Sequence, residues 1–250
     1  PGAANSTAFA GFVADTEFSV NRGFFDTAFF LDITSATPGA AIAYTLDGTE
    51  PTLTNGVQAP PPDPTTPPTA SLSVNGVGDG VVTVRAAAFK EGLAPTNVDT
   101  HTYLFLDGII AGQTENAGTP AGFPADGAVN GHHMDYGFAA DIANHPTWGP
   151  QLTPALEALP ALSMVTDPDH LFDPSTGIYV NQGESGKAWE RPASLELINP
   201  DGSLGFQVES GVRIRGNFSL SDGNAKHACR HFCRDEYGDD KLRFPIFGSE

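Results

Sequence analysis

Positive charge is scarce in this chain. Twelve lysines and arginines stand against 30 aspartates and glutamates in 250 residues, a formal charge of −18. Sequence-independent binding to nucleic acid or to an anionic bilayer needs a positive surface, so this balance speaks against both partners. It suits a soluble extracellular or cell-surface protein, and surplus carboxylates can recruit Ca²⁺. Only Arg22, Arg85 and Lys90 precede residue 187; the other nine basic residues lie from Lys187 onward. An anion such as a phosphate is therefore expected in the C-terminal third. Cysteine is nearly absent too, and two residues cannot build a disulfide framework. Along an extended segment Cys229 and Cys233 stand roughly 13 Å apart, beyond the ~7 Å Cα limit for a bridge. No apolar run approaches the roughly 20 residues a membrane helix requires, so no membrane-spanning segment is expected. The chain opens at Pro1 without a basic-then-apolar leader, so a secretory signal is expected to be either already removed or never present.

Glycine and proline are plentiful, 28 and 21 residues set among short apolar runs, which points to a mainly β protein with many turns. Residues 1–17 are small and polar and read as a tail. From residue 18 to 107, short strands recur: Ala28–Ile33, Ala41–Leu46 ending in the turn signal Asp47-Gly48, then "ASLSV", "GVVTVRAAAF" and "THTYLFL". "QAPPPDPTTPPTA" between them is an extended proline-rich loop. This spacing suggests a small β-sandwich. Residues 108–160 form a glycine-rich connector with two short helices, "FAADIANHPTW" and "LTPALEALPAL", the second capped by Thr153 with Pro154 at its first position. From 161 to 250 strands resume in "LSMVTD", "GIYVN", "SLELIN", "GFQVESGVRIRG" and "KHACRHFCR", with "NPDG" as a hairpin turn.

Several stretches carry candidate chemistry. In "KHACRHFCR" a period of two sets His227, Cys229, His231 and Cys233 on one side and Lys226, Arg230 and Phe232 on the other. The first set offers soft-metal ligands. Such a row is almost 20 Å long, so a single ion can use two neighbours but not all four. A core strand is the alternative. Asp167, Asp169 and Asp173 in "DPDHLFDPSTG" cluster as in Ca²⁺ loops, but without EF-hand spacing, and aspartate before proline is also ordinary turn chemistry. "LDGTEPT" and "RDEYGDDK" read as turns, and His132-His133 as a solvated pair in the connector, with metal binding the alternative. Asn217-Phe218-Ser219 fits an N-glycosylation acceptor.

The segments "GAAIAYTLDGTEPT" and "VTVRAAAFKEGLAPTNVDTHTYLF" resemble the immunoglobulin-like module first named at the C-terminus of chitobiases. The block from "LPALSMVTD" to "EYGDDKLRFPIFG", through "GIYVN", "WERPASLEL" and "GVRIRG", resembles the N-terminal lobe of CotH-type spore-coat protein kinases. The resemblance implies an immunoglobulin-like sandwich at 18–107 and a β-rich, kinase-N-lobe-like domain at 161–250. It implies that Lys226, with Arg213, Arg215 and Arg230 nearby, contacts nucleotide phosphates, and that the His/Cys row packs into the core. The family's metal-binding and catalytic carboxylates correspond to positions past Glu250. ATP and Mg²⁺ are thus expected only with a second kinase half, and no catalytic residue is assigned in this span. Two functions follow. The chain is read as a secreted or surface structural subunit that self-associates or joins other surface proteins, its tail adding as a strand to a neighbour. The alternative is the front part of a secreted ATP-dependent protein serine kinase. Carbohydrate binding by the sandwich is a third reading; it calls for exposed aromatic platforms, whereas Phe24, Phe25, Phe29 and Tyr44 read as core.

Overall fold

The computed structural model describes residues 9–76, 78, 80–112, 119–134, 136–203, 205–216, 225–238 and 240–246. It is mainly β, as the sequence implies, with few and short helices. The chain divides into two compact units. One holds Phe29–Val74 and Val84–His101 with the leading residues up to Asn21; the other holds Arg22–Ala28, Asn75–Thr83 and everything from Thr102.

The strands of the N-terminal part are β1 (Thr16–Phe18), β2 (Gly23–Phe24), β3 (Phe29–Ser35), β4 (Ala41–Thr45), β5 (Val57–Ala59), β6 (Thr69–Val74), β7 (Val81–Phe89) and β8 (Asp99–Leu104). They form a three-stranded sheet, β1-β3-β6, and a five-stranded sheet, β2-β8-β7-β4-β5. Alternation makes the first unit's core. Leu31 and Ile33 on β3, Ala70, Leu72 and Val74 on β6, and Ile42, Val84 and Ala86 on the other sheet are buried, while Asp32, Ser71 and Ser73 face water. The turn after β4 forms as its Asp-Gly signal requires. Asp47 Oδ1 accepts from the Thr49 amide at 3.0 Å, and Gly48 sits at φ 83°.

The expected tail needs correction from residue 9 onward. Ala10 and Val13 donate backbone hydrogen bonds to the carbonyls of Gly92 and Ala94 at 3.0 and 2.9 Å. Val13 is buried, and Ser35 Oγ donates to the Ala14 carbonyl. The segment 9–17 thus packs on its own unit, while residues 1–8 of the expected tail lie outside the described residues.

In the second unit α1 (Leu106–Gly112), α2 (Ala140–Ala143) and α3 (Leu152–Glu157) lead into β9 (Ala161–Val165), α4 (Pro168–Phe172), β10 (Arg191–Ile198), β11 (Gln207–Arg215) and β12 (Ala228–Phe232). The last three strands and β9 make an antiparallel sheet in the order β12-β11-β10-β9. "NPDG" is the turn between β10 and β11, with the Gly202 amide bonded to the Asn199 carbonyl and Gly202 at φ 72°.

Three readings of this part are corrected. "GIYVN" is a turn, because its amides bond to the end of α4: Ile178 to His170 O at 2.9 Å and Tyr179 to Leu171 O at 3.0 Å. That route inserts Ile178 between Ala193 on β10 and Val212 on β11, with Leu171, Trp189 and Ile214 around them. Thr153 is not a cap; it lies inside α3 and its hydroxyl donates to Asp107 at 2.8 Å. α1 and α4 were not expected: "LDGIIAG" carries two glycines, and α4 is one capped turn after Asp167.

Candidate anion-binding face

β11 and β12 pair with Arg213 opposite Arg230 and Arg215 opposite Ala228. Directly opposite residues of an antiparallel pair share a face, so these three arginines project from one side of the sheet. Like charges set opposite one another repel. The fold answers this on the Arg213 side: its Nε lies 3.2 Å from Glu190 Oε2, and its guanidinium stacks 3.8 Å from the ring centre of Phe232.

Glu190 is the centre of this cluster. Its side chain is fully buried, and Arg234 grips both oxygens, Nε to Oε1 at 2.8 Å and Nη2 to Oε2 at 3.2 Å. Such a two-bond fork is the strong form of the arginine–carboxylate contact. Burial opposes the charge on Glu190, but the bonds from Arg234 and Tyr237 and the charges of Arg234 and Arg213 outweigh it and hold the carboxyl below its ordinary range. Burial, then the Glu190 charge, pushes the Tyr237 hydroxyl up to about 12. Gly211 makes room for the cluster. A Cβ there would stand 2.5 Å from Glu190 Cγ and Oε1 and 2.6 Å from the Tyr237 ring. Gly211→Ala is therefore expected to destabilise the protein by about 1–3 kcal/mol. Urea denaturation checks this, and an unchanged midpoint would show that the cluster yields freely.

Arg213, expected on phosphate, is thus taken up by Glu190 and Phe232. Arg215, the last residue of β11, Arg230, in the middle of β12, and Lys226, two residues before β12, are exposed.

The His/Cys row does not converge. Cys229 and His231 pair with Ile214 and Val212, so they lie on the face that carries the core cluster, as the resemblance implied. Yet β12 is an edge strand and Cys229 is exposed, a correction to the core-packing expectation. His231 Nδ1 is 2.9 Å from Ser210 Oγ, and burial pulls its pKa below the ordinary value. Cys233 follows the end of β12. His227 instead packs tilted against Tyr179 and edge-on against His132, ring centres 4.8 and 5.3 Å away. His132 is buried with Nε2 3.2 Å from Gln182 Oε1, which corrects its expected solvation; His133 is exposed beside Asp126. Among the described residues no group of three or more His, Cys, Asp or Glu is placed to hold a metal ion. The aspartates of "DPDHLFDPSTG" are occupied locally. Asp167 accepts from the Asp169 amide at the start of α4, and Asp173 accepts from the Ser175 and Thr176 amides. Asn217 lies outside the described residues.

Sequence reasoning missed a second buried carboxylate. Glu196 on β10 is inaccessible to solvent, with Arg22 Nε 3.3 Å from Oε1 and the Thr102 hydroxyl donating to Oε2. Arg22 also donates to the Phe206 carbonyl at 3.1 Å. Burial raises the Glu196 carboxyl to about 7, against the lowering charge of Arg22 and the Thr102 bonds. Of the aromatic residues read as core, Tyr44 is buried, whereas Phe24 and Phe25 line a cleft of about 290 Å³ with Asp26, Asp107 and Glu157.

Comparison with known proteins bears on the N-terminal part. The family model described as Fn3 associated matches residues 31–103, so this stretch is an immunoglobulin/fibronectin-type associated module. No curated protein matches the chain.

Proposed function

We propose that the four-stranded sheet of the second unit is a phosphate-gripping lobe of the CotH kinase type, carried by an extracellular or cell-surface protein beside its Fn3-associated module. The observation that carries this is the set of exposed cations Arg215 on β11, Arg230 on β12 and Lys226 just before β12, in a chain otherwise dominated by acid. Fixed positive charge with several donors suits a polyphosphate. The Glu190–Arg213–Arg234 cluster anchors Arg213 on the face that also carries Arg215 and Arg230. These residues hold phosphate; no bond-breaking step is assigned to them. Calorimetric titration with ATP at low ionic strength tests the reading. Lys226→Ala combined with Arg230→Ala is expected to weaken binding at least tenfold, and absence of binding to the unaltered protein would overturn the proposal.

The assembly reading, a self-associating structural subunit of a cell surface or matrix, is favoured by a different observation. β9 is an edge strand of the same sheet and exposes Leu162 and Met164.

A further inference from the structure

We infer that β9 is a self-pairing edge, through which two copies of this chain join their four-stranded sheets into one of eight strands. The inference rests on the assembly reading and names its surface. β9 pairs with β10 on one side only, and among the described residues no backbone hydrogen bond reaches its other side. Soluble proteins guard such edges with charges, prolines within the strand, bulges or a covering element, because an open ladder accepts any suitable strand. The sequence of β9, "ALSMV", holds no charge and no proline; Pro160 merely precedes it.

The strand is also close to a palindrome about Ser163. Antiparallel pairing of two β9 strands centred on that residue sets Leu162 opposite Met164 of the partner subunit, and Ala161 opposite Val165 of the partner subunit. Opposite residues share a face. The Leu162–Met164 pairs would therefore extend the face on which Leu162 already lies beside Leu197, and Met164 beside Leu195, in the register with β10. Leu162 is 68% exposed and Met164 37%, so this apolar strip is covered by nothing described. A second copy is the occupant favoured here because the strip and the ladder are complementary to themselves, which an isologous two-fold contact requires. Two five-residue strands bury little area, so the dimer is weak. Each copy carries −18, so salt strengthens it by screening the repulsion between them.

Sedimentation equilibrium over a concentration series, at low and high salt, tests this on the whole chain. A monomer–dimer equilibrium favoured by salt is expected. Leu162→Lys is expected to weaken it at least tenfold, with an unchanged far-ultraviolet circular dichroism spectrum. Leu53→Lys, at an equally exposed leucine of the first unit, should leave it as it was. Association of Leu162→Lys as tight as that of the unaltered chain would overturn the β9 interface while leaving assembly standing. A strictly monomeric unaltered chain at every concentration and salt would overturn both.

Discussion

Arg22→Ala is expected to cost the protein about 1.4 kcal/mol more at pH 8 than at pH 5. The reason is Glu196, whose side chain is fully buried and whose only cation within contact distance among the described residues is the Arg22 guanidinium, itself 20% exposed. Without the guanidinium, Glu196 would be an uncompensated buried charge, so it stays protonated instead, which at pH 8, one unit above 7, costs about 1.4 kcal/mol. Below pH 7 the protein has an escape: Glu196 takes up a proton and no charge is left behind. In the unaltered chain the carboxyl titrates at about 7 when folded, against an ordinary 4.5. The folded state therefore binds that proton more tightly. Its contribution to stability is full below pH 4.5 and is lost as pH rises through 7, roughly 3 kcal/mol in all. Glu196→Gln removes the titrating group, so its stability should be flatter across this window, and it should rescue Arg22→Ala at pH 8. Tyr103 and Glu209 are the other titratable groups that feel this charge. Urea denaturation at the two pH values reads the effect. Equal losses at both would mean that Arg22 acts through its bond to the Phe206 carbonyl and not through charge.

Glu190→Ala carries the second large effect. Arg213 and Arg234 lose their shared carboxylate, although Glu236 stays 3.9 Å from Arg234, and Tyr237 loses a hydrogen-bond acceptor. Their side chains are 22% and 35% exposed, so water relieves part of the strain. A loss of about 2–4 kcal/mol is expected, at the lower end of what breaking a buried pair costs. The pH dependence has the opposite sign to that of Glu196. The Glu190 carboxyl is held low, so its contribution is present above the ordinary carboxylate range and fades as pH falls through its depressed value. Glu190→Gln, which keeps the shape and two of the bonds, should lose clearly less than Glu190→Ala. Thermal unfolding at pH 7 compares them, and equal losses would assign the effect to packing alone.

Strand positions were legible where the side-chain period was clean. "SLELIN" and "GFQVESGVRIRG" became β10 and β11, and "ASLSV" became β6, because alternation and flanking turn residues act locally. "GIYVN" misled because three apolar or aromatic residues in a row look alike whether their amides meet a strand or the carbonyls of a short helix. Segment 9–17 looked like a tail because backbone bonds to Gly92 and Ala94 leave no trace in side-chain pattern. The candidate site was legible in charge but not in pairing. Nothing in "GVRIRGN" says that Arg213 meets Glu190, a residue 23 positions earlier, while Arg215 is exposed. "WERPASLEL" and "EYGDD" hold Glu190, Glu196 and Tyr237. A glutamate flanked by apolar strand residues was the available signal of a buried carboxylate.

The most direct test of the anion-binding face is a titration of ATP into nitrogen-15-labelled protein, followed by backbone amide shifts. The largest shifts are expected at Arg215, Lys226 and Arg230, smaller ones at Arg213 behind Glu190, and none at β9. Shifts confined to other parts of the chain, or none at saturating ATP and low salt, would contradict the phosphate-gripping reading.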